Sequence, residues 1–99
     1  MKAAFLTSPK NIEIRETPDP KITKDNQVKV KVRSVGICGS DAHFYWDGRL
    51  AGWVVEEPLI LGHESAGDVV EVGKGVKKFK VGDRVTVEPG IPCRQCEWC

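Results

Sequence analysis

Gly62-His63-Glu64-Ser65-Ala66-Gly67-Asp68-Val69-Val70-Glu71-Val72-Gly73 is the stretch around which the rest of the chain can be read. Its glycines stand where a backbone turns tightly or lies against a neighbour. Between Gly67 and Gly73, Asp68–Val72 is a valine-rich segment that reads as a short strand. Upstream, Val28–Val35 is the clearest strand. Val28, Val30 and Val32 face one way and Lys29, Lys31 and Arg33 the other, an apolar face backed by a solvated one. Lys2–Leu6 and Ile12–Glu16 are extended segments on either side of a Ser8-Pro9-Lys10-Asn11 turn, and Pro18, Asp19 and Pro20 then break regular structure. Asp41–Trp46 reads as a short helix with Ser40 or Asp41 as its cap. Gly48 and Gly52 punctuate a loop, and Val85–Val87 is a last strand. Short strands with frequent glycines predict a mainly β fold, a small barrel or sandwich.

The chain has 99 residues, room for one small domain. Fifteen basic and fourteen acidic residues leave a formal charge of +1, no field with which to recruit nucleic acid or an anionic membrane. No apolar run approaches the ~20 residues of a membrane span, and the first ten residues are too short for a secretory core. The expected partner is therefore a neutral or weakly charged small molecule. Cysteines stand at 38, 93, 96 and 99, three of them within the last seven positions. A disulfide framework is seldom spaced that way, whereas a metal-binding knuckle is, so a reducing cytoplasm is the expected compartment.

Two groups of residues carry chemistry. In Gly36-Ile37-Cys38-Gly39-Ser40-Asp41-Ala42-His43 and Leu61-Gly62-His63-Glu64 the chain offers a thiolate, an imidazole and a carboxylate, ligand types that zinc accepts. Cys38 and His63 are 25 positions apart, so a fold has to bring them together. Each alone is more often a core residue than a ligand, and Ser40 and Asp41 alone read as helix caps. In the second group, Cys93-Arg94-Gln95-Cys96-Glu97-Trp98-Cys99, two-residue spacers let successive thiolates wrap one tetrahedral ion. The same spacing also opens a ferredoxin-type iron–sulfur run. Gly73-Lys74-Gly75 begins like a dinucleotide fingerprint but lacks the third glycine and a following βαβ unit, so it reads as a turn.

Gly-His-Glu, followed after two residues by Gly67 and after five more by Gly73, together with Cys38-Gly39-Ser40-Asp41, resembles the two zinc segments of the zinc-containing alcohol dehydrogenases of the medium-chain family. That resemblance implies a GroES-like, partly open β-barrel, with zinc at its junction with a nicotinamide-binding Rossmann domain. It implies Cys38 and His63 as catalytic zinc ligands, with Glu64 beside them as a direct, transient or water-mediated one. Ser40 matches the hydroxyl that starts the substrate proton's route to solvent, Asp41 the carboxylate that orients a ligating imidazole, and His43 a later member of the relay. Asp41-Ala42-His43-Phe44-Tyr45-Trp46, Gly48-Arg49 and Pro58–Glu64 resemble the sorbitol and xylitol dehydrogenase branch, whose members interconvert a polyol and its ketose with NAD. There Tyr45 matches a tyrosine beside the substrate pocket; core packing with Phe44 and Trp46 is the alternative reading.

Cys93, Cys96 and Cys99 match three of the four cysteines of the family's structural zinc lobe, and the Gly-His-Glu segment decides for zinc over an iron–sulfur cluster. The resemblance makes residues 1–99 an incomplete N-terminal catalytic domain that ends inside that lobe. NAD(P) would be bound mainly by a domain downstream, and the complete enzyme is expected to be a homo-oligomer, a dimer or tetramer. Other zinc alcohol or threonine dehydrogenases are the nearer alternative, and a small zinc-binding interaction module the more distant one.

Overall fold

Residues from opposite halves of the chain pair to make the main sheet. A computed structural model describes Met1–Cys99, with eight strands and one helix: β1 (Lys2–Ser8), β2 (Asn11–Glu16), β3 (Val28–Gly36), α1 (Gly39–Asp47), β4 (Arg49–Leu50), β5 (Trp53–Val54), β6 (Leu59–Ile60), β7 (Glu64–Val72) and β8 (Arg84–Thr86). The fold is mainly β, as the short valine-rich segments predict. β7 is the central strand of a three-stranded antiparallel sheet, ordered β3-β7-β8. A second sheet, β2-β1-β6, joins the N-terminal hairpin to the segment that leads into β7. Residues 49–54 form a miniature antiparallel pair, β4-β5, too short to leave a periodic signal.

The alternation read along Val28–Val35 is broken by the structure. Pairing slips between Lys29 and Val30 and again between Val32 and Ser34, leaving Val70 on β7 and Arg33 on β3 as extra residues. A bulge re-aims the side chains beyond it. Lys29 is consequently half-buried while Val32 is 52% exposed. The unpaired Arg33 donates from Nε to Asp68 Oδ2 at 2.7 Å.

The sheets do not close on one another. The accessible surface is 8161 Å², against about 5,600 Å² for a compact chain of this mass. Leu6 on β1 and Val69 on β7 are the fully buried large apolar side chains. No helix is long and apolar enough to cross a membrane.

The helix begins earlier than the sequence suggests. Its N-cap is Cys38, neither Ser40 nor Asp41, and Asp41 caps from inside the first turn, its Oδ2 accepting the Cys38 N–H at 3.0 Å. Gly48 closes the other end at φ +65°, a left-handed conformation that favours glycine, and donates its N–H to the Phe44 carbonyl at 3.0 Å. The β1–β2 turn supports this end: the Lys10 N–H donates to the Tyr45 carbonyl at 2.7 Å, and the Lys10 ammonium lies 5.2 Å from the Trp46 ring centroid. Lys74 and Gly75 form the turn expected of them after β7.

Candidate functional site

The antiparallel register of β3 and β7 explains how residues 25 positions apart meet. Gly36 is paired with Glu64 at the ends of the two strands. Cys38 lies two residues past that pair on one strand, and His63 immediately before it on the other. Gly62 makes the corner with φ +103°, and a side chain there would strike Val35 Cγ1 at 2.7 Å. The Cys38 sulfur, a His63 ring nitrogen and a Glu64 carboxylate oxygen all lie within 4.8 Å of one another.

Two helix residues surround this group. Asp41, with a side chain only 10% exposed, places Oδ1 3.4 Å from His63 Nδ1 while Oδ2 holds the Cys38 N–H. One carboxylate thus bridges the two segments that supply the thiol and the imidazole. Assigning the ring proton to Nδ1, where Asp41 accepts it, leaves Nε2 as the lone-pair donor. Nε2 is also 3.4 Å from the Ser40 hydroxyl.

The electrostatics lower the Cys38 thiol. Hydrogen bonds from the Ser40 hydroxyl and backbone N–H, then from the doubly protonated His63 ring, hold the Cys38 thiol below its ordinary range, against desolvation and the Glu64 charge. His63 is raised, first by its hydrogen bond to Cys38 and then by the Asp41, Cys38 and Glu64 charges, with burial opposing. A thiol, an imidazole and a carboxylate with donor atoms within 4.8 Å of one another form a donor set of the kind that suits zinc.

Helical spacing sorts the other residues named from the sequence. His43 is not brought into the cluster; its side chain is 63% exposed, and Nδ1 lies 3.6 Å from Asp47 Oδ2 one turn on. Ser40 and His43, three positions apart, are neighbours on the helix surface. Asp41 and Tyr45, four apart, both line an open groove of about 420 Å³. The half-buried Tyr45 packs its ring edge-on against Trp46, with centroids 5.2 Å apart, so it combines aromatic packing with a place in the groove. The remaining walls are apolar and include Ile12, Val35, Ile37 and Leu61. Sequence reasoning missed these four, because they come from separate segments and carry no motif. Cys38, His63 and Glu64 do not line the groove, whose walls adjoin them in the chain at Gly36, Asp41 and Gly62.

Cys93, Cys96 and Cys99 form a second, exposed cluster with sulfur–sulfur separations of 3.2–3.4 Å. Thiolates on a tetrahedral zinc with Zn–S near 2.3 Å would stand about 3.8 Å apart, so a small expansion admits the ion. The Gln95 backbone N–H, with the Cys99 and Cys96 thiols, lowers Cys93 to about 7.

Residues 24–99 match the alcohol dehydrogenase GroES-like domain. The whole chain is 54% identical to sorbitol dehydrogenase from Bacillus subtilis (strain 168) over 99 residues, which are 28% of that protein. It is 50% identical over 93 residues, 94% of the chain, to D-xylulose reductase from Saccharomyces cerevisiae, covering 26% of that protein. Among solved structures, galactitol-1-phosphate dehydrogenase from Escherichia coli superposes with a TM-score of 0.85 at 32% identity, over all of this chain and 28% of that one. The chain thus spans little more than a quarter of the relatives it matches. With the two motif segments, the strand register that joins them and these similarities in agreement, the chain belongs to the alcohol dehydrogenase GroES-like domain family.

Proposed function

We propose that the chain is the N-terminal catalytic portion of a zinc-dependent oxidoreductase that oxidises a polyol of the sorbitol or xylitol type to its ketose. The convergence of Cys38, His63 and Glu64 beside Ser40 and Asp41 carries this reading. Similarity to sorbitol dehydrogenase and D-xylulose reductase supports the polyol class. Cys38 Sγ, His63 Nε2 and Glu64 would hold the catalytic zinc, and Cys93, Cys96 and Cys99 a structural one. Zinc held there would supply Lewis-acid polarisation of the substrate hydroxyl, with NAD(P) as the hydride acceptor.

The chain's own residues handle binding and the proton. Asp41 fixes the His63 ring and, through the Cys38 N–H, the position of the thiolate. Ser40 Oγ receives the substrate proton next to His63 and passes it along the helix surface towards His43, whose ring faces solvent beside Asp47. Tyr45 and the apolar groove walls exclude water from one side of the substrate. A reducing cytoplasm would keep all four thiols available as ligands.

Metal analysis and kinetics test the reading together. The chain should bind two zinc ions; Cys38→Ser or His63→Ala should leave one, held by the three exposed cysteines. In the complete enzyme, the same substitutions should abolish polyol-dependent NAD(P) reduction. A single zinc held only by thiolates would instead favour an interaction module, and full activity without Cys38 or His63 would sink the assignment.

A further inference from the structure

Gly36 and Glu64 face one another as the last paired residues of β3 and β7. The Glu64 carboxylate folds back across this pair, with Oε2 in the space that a side chain on residue 36 would occupy. Glu64 Cβ and Cδ would lie 3.1 and 3.5 Å from the first carbon of such a side chain. From this slot the carboxylate comes within 4.8 Å of the Cys38 and His63 donor atoms. No side-chain hydrogen bond or ion pair ties it there: those around the site run through Asp41, Ser40 and His63, and Glu64 acts on its neighbours through its charge alone.

We infer that Gly36 is a positioning residue whose missing side chain opens the slot from which Glu64 reaches the metal centre. The inference rests on the reading of Cys38, His63 and Glu64 as that centre. A β-carbon at 36 collides first with the far end of a flexible, exposed side chain, which rotates away, and then meets Glu64 Cβ at 3.1 Å, a contact that the pair relieves by giving a few tenths of an ångström. Gly36 has no positive φ, so alanine fits its backbone and restricts the unfolded chain. The effect of Gly36→Ala therefore falls mainly on the metal, with a small adjustment of the strand pair.

Cobalt(II), titrated into the zinc-free chain with Cys93, Cys96 and Cys99 replaced by serine, reports on the Cys38 centre through its thiolate charge-transfer band. Gly36→Ala is expected to weaken cobalt binding ~10-fold, as loss of a neighbouring supporting group commonly does. Glu64→Ala should weaken it too, and adding Gly36→Ala to Glu64→Ala should cost nothing more, because both act through one carboxylate. Unchanged cobalt affinity in Gly36→Ala, or fully additive losses in the double variant, overturns the inference while leaving the metal centre standing. Absence of cobalt binding by the chain with Gly36 intact overturns the centre itself, and the inference with it. If circular dichroism shows that Gly36→Ala does not fold, the unmodified chain decides. A nuclear Overhauser contact between Gly36 Hα and Glu64 Hγ supports the slot, and its absence refutes it.

Discussion

Replacing Asp41 separates two jobs that one carboxylate performs. Oδ2 accepts the Cys38 N–H at the start of the helix, and Oδ1 faces His63 Nδ1 at 3.4 Å, with the side chain only 10% exposed. Asp41→Ala removes a charge-assisted cap and strands a backbone donor, a loss of about 2 kcal/mol. With a urea m-value of about 1.5 kcal/mol/M, the unfolding midpoint of the zinc-free chain should fall by roughly 1 M or more. Asp41→Asn keeps one acceptor oxygen. The 3.0 Å bond to Cys38 is the shorter of the two contacts, so that oxygen should stay with the cap and limit the stability loss to about 1 kcal/mol. The amide NH2 then meets His63 Nδ1–H, donor against donor, and the imidazole loses its orienting partner. Zinc affinity at the Cys38 centre should fall ~10-fold or more in both variants. The measurements are urea titration followed by far-UV circular dichroism, and zinc competition against a chromogenic chelator. Replacing the exposed Cys93, Cys96 and Cys99 with serine confines zinc to one centre. An Asp41→Asn chain that binds zinc as tightly as the unmodified one, or an Asp41→Ala chain with an unchanged midpoint, would refute the reasoning.

Two further predictions concern the thiol knuckle and the main sheet. In the zinc-free chain Cys93 titrates near 7, below an ordinary thiol, so its thiolate forms at lower pH. Iodoacetamide should therefore modify Cys93 with a pH midpoint near 7, zinc should protect it, and a midpoint above 8 would count against the hydrogen bonds described. Gly67→Ala should destabilise the chain by about 2 kcal/mol in the same urea assay. The new methyl meets the Lys31 carbonyl carbon and Val30 Cγ1 at 2.9 Å on the paired strand, and the backbone cannot rotate aside as a flexible side chain can. An unchanged midpoint would show that the β3–β7 pairing is looser than described.

What could be read from the order of residues alone was what short-range spacing controls. The Cys93, Cys96 and Cys99 cluster is of that kind, because two-residue spacers bring thiols together with almost no help from the rest of the fold. The longer strands, the Pro9–Lys10 turn and the body of the helix were also legible from local alternation or turn chemistry, whereas the two-residue strands β4, β5 and β6 and the helix start at Cys38 were not. Cys38, Ser40, His63 and Glu64 were recognised together only through their resemblance to a family motif.

Their meeting is a property of the tertiary structure. The β3–β7 register brings Cys38 and His63 together, and the bulges at Arg33 and Val70 that adjust it depend on cross-strand packing, which no single segment encodes. The same register lays Glu64 over Gly36 and lets Asp41 reach both ligand segments at once. It is likewise the convergence of Ile12, Val35 and Leu61 on Tyr45 that makes the groove, with His43 left outside at the surface. The candidate ligands are written along the chain, but their geometry depends on contacts between residues far apart in it, and such contacts exist only once the strands have paired.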